Sequence, residues 1–272
     1  MNSIGAKGRG PNEYIYLTDV MVDNHGNVTI HSMGEGALLI YSPDGVFLER
    51  KELPYSPERF FSLNGLTYHY MGMTGTGMDY RLYVTDNSGK TVGTLLPAPK
   101  SPAIPNAQTF SLYGSTLNLC PTEGNDIYQL KDGKMEVTYR FDFGVYNIPD
   151  EYYTCSDYRE LSNFWDKGIA QKQMFYENRH CAILLIVIDA PTGFRLIYGV
   201  LNKQKNVWKW FNGSETDFIF LQYFDEEYAY LTASPQEMKQ IPGMTERFPL
   251  LNTLTDDDDM VVLKCKTASV NN

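Results

Sequence analysis

The chain has 272 residues, of which 43% are hydrophobic and 14% aromatic, enough for a sizeable core and too apolar for disorder. Twenty tyrosines lean the composition towards β structure, where large rings pack well on pleated surfaces. Lys and Arg number 23 against 33 Asp and Glu, a formal net charge of −10 with no basic run, which argues against a nucleic-acid partner.

The opening "MNSIGAKGRG" carries no apolar leader core. "GAKGRGPNEY", residues 5–14, has the glycines and basic residues of a phosphate loop. It matches neither the P-loop pattern nor a dinucleotide loop, and strand-like sequence follows it where a helix N-terminus would be needed. It is expected to be a connector, with Arg9, Glu13 and Tyr14 as its only residues of chemical interest.

A period follows. The glycines of "SPDG", "TDNSG" and "LKDG" (Gly45, Gly89, Gly133) stand 44 and 44 residues apart, each between two apolar stretches. A second series, "DNHGN", "LNG" and "LYG", marks another tight turn per unit, because glycine supplies the positive φ that hairpins need. Each unit therefore reads strand, tight turn, strand, looser loop, strand, tight turn, strand. Four antiparallel strands in about 44 residues predict a β-propeller blade.

Residues 146–167 break the period. Tyr158, Leu161, Phe164 and Trp165 fall at helical spacing and Gly168 can end the helix, so a helical insertion is expected near 148–167. Blade sequence resumes with "CAILLIVI", eight apolar residues, too few to span a bilayer as a helix. A short helix near 235–241 is predicted from Ser234, Pro235 and Glu237, the pattern of a capping box. The result is one all-β propeller domain over 1–272. Its five blades lie at about 15–56, 57–105, 106–145, 168–213 and 214–266.

Several of these segments resemble one family. "GAKGRGPNEY", "NDIYQL…VTYRFDFGVYNIP" and the pair "SPQEM" and "VVLKCK" resemble lines of the six-bladed β-propeller proteins of Bacteroides-type bacteria, distant relatives of NHL-repeat propellers. The resemblance implies six blades, a lipoprotein leader and a periplasmic or cell-surface location. The start of this chain, almost at the Gly-rich line, is read as the lack of that leader and of a first blade. The resemblance implies no reaction.

Candidate sites are few. Loops joining blades share one face with those between second and third strands, and irregular loops on a rigid sheet are where ligands bind. That face is expected to carry Arg9, Glu13, Tyr14, Tyr80, Tyr152, Tyr153 and Trp165, a mixed-charge aromatic surface suited to a glycan, peptide or protein partner. At least half of those rings are expected only to pack the insertion. "VTIHS", "LTYHY" and "TLNLC" align His31, His69 and Asn118 as one polar strand position repeated with the blade, too far apart to share a metal. His25 belongs to an exposed turn. The acidic run 256–259 lacks calcium-loop spacing and reads as solvated. Glu226 and Glu227 are expected to alternate faces on a strand. Four cysteines without a C-x-x-C pair give no zinc or thioredoxin-like site. Cys155 and Cys181 stay open as a disulfide or as small hydrophobes. No nucleophile elbow or H-E-x-x-H is present, and no cofactor is expected. A binding or scaffold module is the reading these features favour. A lyase or hydrolase at the mouth of the central channel is the alternative.

Overall fold

The computed structural model describes residues 4–72, 77–102, 106–190, 193–213, 220–255 and 257–266. Parts of the expected second, fourth and fifth blades, Asp256 of the acidic run and the Tyr158 side chain lie outside them.

The 44-residue turn period does produce blades. A short parallel pair, β1 (Ala6–Lys7) and β2 (Glu13–Tyr14), precedes the first sheet. That sheet runs in order β3 (Leu17–Val22), β4 (Val28–Ser32), β5 (Ala37–Tyr41), β6 (Phe47–Glu52). The second is β7 (Arg59–Leu63), β8 (Leu66–Tyr70), β9 (Tyr80–Asp86), β10 (Thr91–Pro97). The third is β11 (Phe110–Tyr113), β12 (Thr116–Leu119), β13 (Asp126–Lys131), β14 (Lys134–Arg140). The fourth is β15 (Ala170–Glu177), β16 (Cys181–Ala190), β17 (Gly193–Asn202), β18 (Val207–Gly213). The fifth shows three strands among the described residues, β19 (Phe220–Phe224), β20 (Tyr228–Ala233) and β21 (Val261–Lys266). Every pairing within the blades is antiparallel, and the first strands lie side by side in the series β3, β7, β11, β15, β19. The resemblance implied six blades; among the described residues there are five.

The turns behave as their residues require. Asn64–Gly65 and Asp132–Gly133 both take positive φ, the left-handed geometry of two-residue hairpins. The core sits in the seams. Tyr68, Tyr70, Leu82 and Val84 of the second blade pack on Phe110, Leu117, Leu119 and Leu130 of the third. Cys120 and Ile127 of the third meet Ala182, Leu184 and Ile186 of the fourth. Met174, Leu185 and Leu196 of the fourth meet Leu221 and Phe224 of the fifth. Among the described residues no such apolar cluster joins the first and second blades.

The insertion contains a 3-10 turn at Asp150–Thr154 and then helix α1 (Tyr158–Asp166), with Asp157 as N-cap accepting from the Arg159 N–H. Gly168, at φ +80°, ends it, its N–H bonded to the Trp165 carbonyl. Helix α2 (Pro235–Gln240) carries the expected capping box, Glu237 N–H to Ser234 Oγ at 3.2 Å and Ser234 N–H to Glu237 Oε2 at 2.7 Å. Helix α3 (Met244–Arg247) and a 3-10 turn at Pro249–Thr253, both unforeseen, follow it before the closing strand. All four cysteines are free. Glu226 and Glu227 fall in the turn between β19 and β20, since Asp225 accepts from the Glu227 and Tyr228 N–H groups and caps that turn, so they do not alternate on a strand.

Candidate functional site

The Gly-rich line folds back on itself. Gly8 N–H bonds the Tyr14 carbonyl at 3.0 Å, Glu13 N–H bonds that of Gly10 at 3.1 Å, and Glu13 Oε2 accepts from Gly10 N–H at 2.7 Å. A Cβ on Gly8 would lie 1.9 Å from Glu13 Oε2, so the glycine makes room for that carboxylate. The loop's anion is thus supplied by its own chain. Tyr14 packs beside Tyr41, whose hydroxyl donates to the Asn12 carbonyl at 2.8 Å, and Arg9 is exposed. Glu13→Ala should cost only about 1 kcal/mol while accelerating exchange of the Gly10 amide, read by hydrogen-exchange NMR. Unchanged exchange would mean the carboxylate does not hold the loop.

His31 and His69 face the same seam. His31 pairs across the sheet with Asp19, whose Oδ2 accepts from Phe60 N–H on β7 at 2.9 Å, so this face looks towards the second blade. His69 alternates with Tyr68 and Tyr70, which face the third blade, so His69 looks back towards the first. Its ring lies 5.4 Å from that of Tyr55 in the connector between those blades. The turn before β4 spans residues 23–27, whereas β7 and β8 are joined by two residues, and turn length decides which face of the next strand is inward. Aligned on two-residue turns, Asn118 matches Tyr68 and not His69, and its amide reaches Glu177 of the fourth blade at 3.5 Å.

Both imidazoles are fully buried. His31 Nδ1 shares a 2.5 Å hydrogen bond with Thr18 Oγ1 and His69 Nε2 one of 2.9 Å with Thr85 Oγ1, leaving His31 Nε2 and His69 Nδ1 without partners. Burial pushes His31 down to about 4, and burial together with the charge of His31 pushes His69 down to about 3. Among the described residues no group of three His, Cys, Asp or Glu side chains is placed to hold a metal ion.

The cavity with the chemistry of a ligand site lies elsewhere, between the second and third blades. It has a volume of about 380 Å³. Tyr70 closes β8 and Arg81 is the second residue of β9. Leu96–Pro99 leave β10, Pro121–Gly124 form the loop before β13, Tyr128 stands on β13, and Tyr153 reaches in from the insertion. These are blade-joining and second-to-third-strand loops, the face expected to be functional. Leu96 adopts φ +55°, a conformation a branched side chain holds only when its surroundings impose it.

Lys172 on β15 fixes the floor. It is fully buried, and its Nζ donates to the carbonyls of Glu123 (3.0 Å) and Gly124, while its N–H bonds that of Thr122 at 3.1 Å. Burial pulls the ammonium down to about 8, against the opposing charges of Cys120, Glu123 and Asp126. Arg81 donates through Nη2 to the Ser101 carbonyl, yet its buried Nε has no partner, and neither has the buried hydroxyl of Tyr70. Burial, then the Glu123 charge, holds the Tyr70 phenol well above its usual range and lifts that of Tyr153 to about 12, so both stay protonated.

Of the sequence candidates, Tyr153 lines this cleft. Tyr152 is fully buried against Tyr153 and Phe164 at 5.6 and 5.7 Å, and Trp165 packs in the same cluster. Tyr80 stands edge-on to Tyr83 at 6.3 Å. Sequence reasoning missed Tyr70, Arg81, Glu123, Tyr128 and Lys172. The signal was faint: a lone Arg and a lone Lys inside strand sequences "YRLYV" and "IAQKQMF".

Stacked four-stranded antiparallel sheets, with a cleft between the second and third on the loop face, make this an all-β propeller. The chain belongs to the family described as Domain of unknown function (DUF4934), whose profile matches residues 1–266. Among solved structures it is similar to a Bacteroides fragilis protein described by its predicted export, at TM-score 0.77 and 18% identity, covering 97% of this chain and 80% of that one. It is also similar to a DUF4221-family member from Bacteroides vulgatus, at TM-score 0.59 and 12% identity, covering 97% and 81%. At these identities the likeness is one of fold. No curated protein matches it in sequence. Among the described residues no helix is long and apolar enough to cross a membrane.

Proposed function

We propose that this propeller is a non-catalytic binding module working outside the cytoplasm, periplasmic or at the cell surface, and that it takes its ligand, a glycan or peptide group, in the cleft between the second and third blades. The observation that carries the reading is the pair of buried, unpartnered polar atoms, Arg81 Nε and Tyr70 Oη, at a cavity whose walls include three prolines and the rings of Tyr128 and Tyr153. A buried donor left unmade costs about 1–3 kcal/mol, and sites that keep one are commonly completed by a ligand. Tyrosine faces and proline rings offer flat C–H and π surface, which suits a sugar ring or a small side chain. The predicted export of the Bacteroides fragilis neighbour supports the compartment. The domain extent of 1–272 and the five blade boundaries drawn from the sequence belong to the same reading.

Glycan and peptide arrays probed with the whole chain test it. Binding is expected to at least one probe class and should fall about tenfold or more in Tyr153→Ala, which removes one wall. Arrays blank for both classes, or a Tyr153→Ala variant binding like the wild type, would defeat the reading.

A further inference from the structure

The identity of the unpartnered atoms narrows the ligand, on the reading that the cleft is a binding site. A guanidinium has only donors to offer, and a phenol that stays protonated presents its O–H. Two donors without acceptors call for an acceptor from the ligand. Arg81 makes no ion pair within 4.0 Å among the described residues, although it is 3% exposed. A buried cation whose charge nothing nearby balances by contact is stabilised most by an anion, and a planar guanidinium matches a carboxylate best.

The walls set the remainder of the ligand. Leu96, Pro97, Pro99 and Pro121 present C–H surface, and about 380 Å³ lies at the small end of ligand cavities, which run from roughly 300 to 1,000 Å³. Glu123 lines the same space and its charge opposes a second acidic group on the ligand. We propose that the cleft binds a single carboxylate borne on a compact body of mostly C–H surface, with Arg81 Nε and Tyr70 Oη as the donors that receive it. An acidic sugar and the carboxyl end of a short peptide share that chemistry.

The test is a calorimetric titration of the full chain with two matched pairs: glucuronate against glucose, and N-acetylproline against its amide. At least one acid should bind about tenfold or more tightly than its neutral partner, and which pair responds identifies the source. Tyr70→Phe keeps the shape and should weaken the acid about threefold to tenfold, while Arg81→Gln, which removes the charge, should abolish the preference for the acid. Neutral probes binding as well as acids would overturn the carboxylate assignment and leave the binding-module reading standing. Failure of both acids to bind, or an unchanged affinity in Tyr70→Phe with the acid preference retained in Arg81→Gln, would overturn the assignment as well. Blank arrays in the broader screen would remove both readings.

Discussion

Lowering the pH from about 7.5 to about 5 should cost this protein about 3 kcal/mol of folding stability, and the loss should arise in the seam between the first and second blades. The unfolded chain protonates its histidines near 6.5, whereas His31 resists until about 4 and His69 until about 3. Stability from these groups is therefore complete above the unfolded value and lost as pH falls through the window below it. Each imidazole contributes about 1.4 kcal/mol per pH unit there, or roughly 4 kcal/mol for both over the 1.5 units down to about pH 5. Asp19 works the other way. Burial lifts it from 3.8 to about 6 against the bond from Phe60 N–H and the charge of Arg59, with Glu58 adding to the rise, so its penalty is relieved as pH drops below about 6. That returns roughly 1.4 kcal/mol by about pH 5, which leaves the net loss near 3.

Denaturant unfolding at the two pH values, with wild type and the double variant His31→Gln, His69→Gln, measures this. The double variant should lose the acid sensitivity and become slightly more stable at the lower pH, where Asp19 alone acts. If it keeps the full acid loss, the two histidines are not its source.

Tyr152→Ala should be the most damaging single truncation in the insertion, at about 3–5 kcal/mol. Tyr152 is fully buried, and it joins Ile148, Leu161 and Ile169 in one cluster with Phe164 and Trp165 around it. Removing the ring opens a cavity under α1 and leaves Tyr153 without its neighbour at 5.6 Å. Since Tyr153 lines the cleft and its carbonyl holds the Lys100 N–H at 3.1 Å, the binding proposed for the cleft should weaken together with stability. Tyr152→Phe keeps the packing and should cost about 1 kcal/mol or less. A loss below about 1 kcal/mol for the alanine variant would mean that the insertion is not a packed layer of the fold.

The blades were legible because turn chemistry is local. Gly65 and Gly133 each follow a residue that tolerates positive φ, and the apolar stretches flanking them alternate as strands must. The capping box at Ser234 was legible for the same reason, since its two hydrogen bonds join residues three apart. The insertion helix could be read from spacing, although which of its rings would be buried could not.

Other features were settled by which strand face meets which neighbour. His31 and His69 align in sequence, yet they lie on opposite sides of one seam, because turns of different length deliver β4 and β8 with opposite faces towards the next blade. A side-chain period of two makes such a reversal invisible to an alignment of residue types. The cleft is a similar case. Arg81 and Tyr70 from one blade, Glu123 and Tyr128 from the next, Lys172 from a third and Tyr153 from the insertion share no local pattern.

The sequence by itself determined the repeat: that the chain makes blades, where the tight turns of the first three fall and where α1 and α2 interrupt the strands, because those depend on backbone geometry within a few residues. Only the tertiary structure decided the chemistry. Whether two histidines of neighbouring blades face one seam and whether Arg81 keeps a donor free beside a cavity depend on desolvation and on partners distant in sequence, which pack together only when the sheets stack.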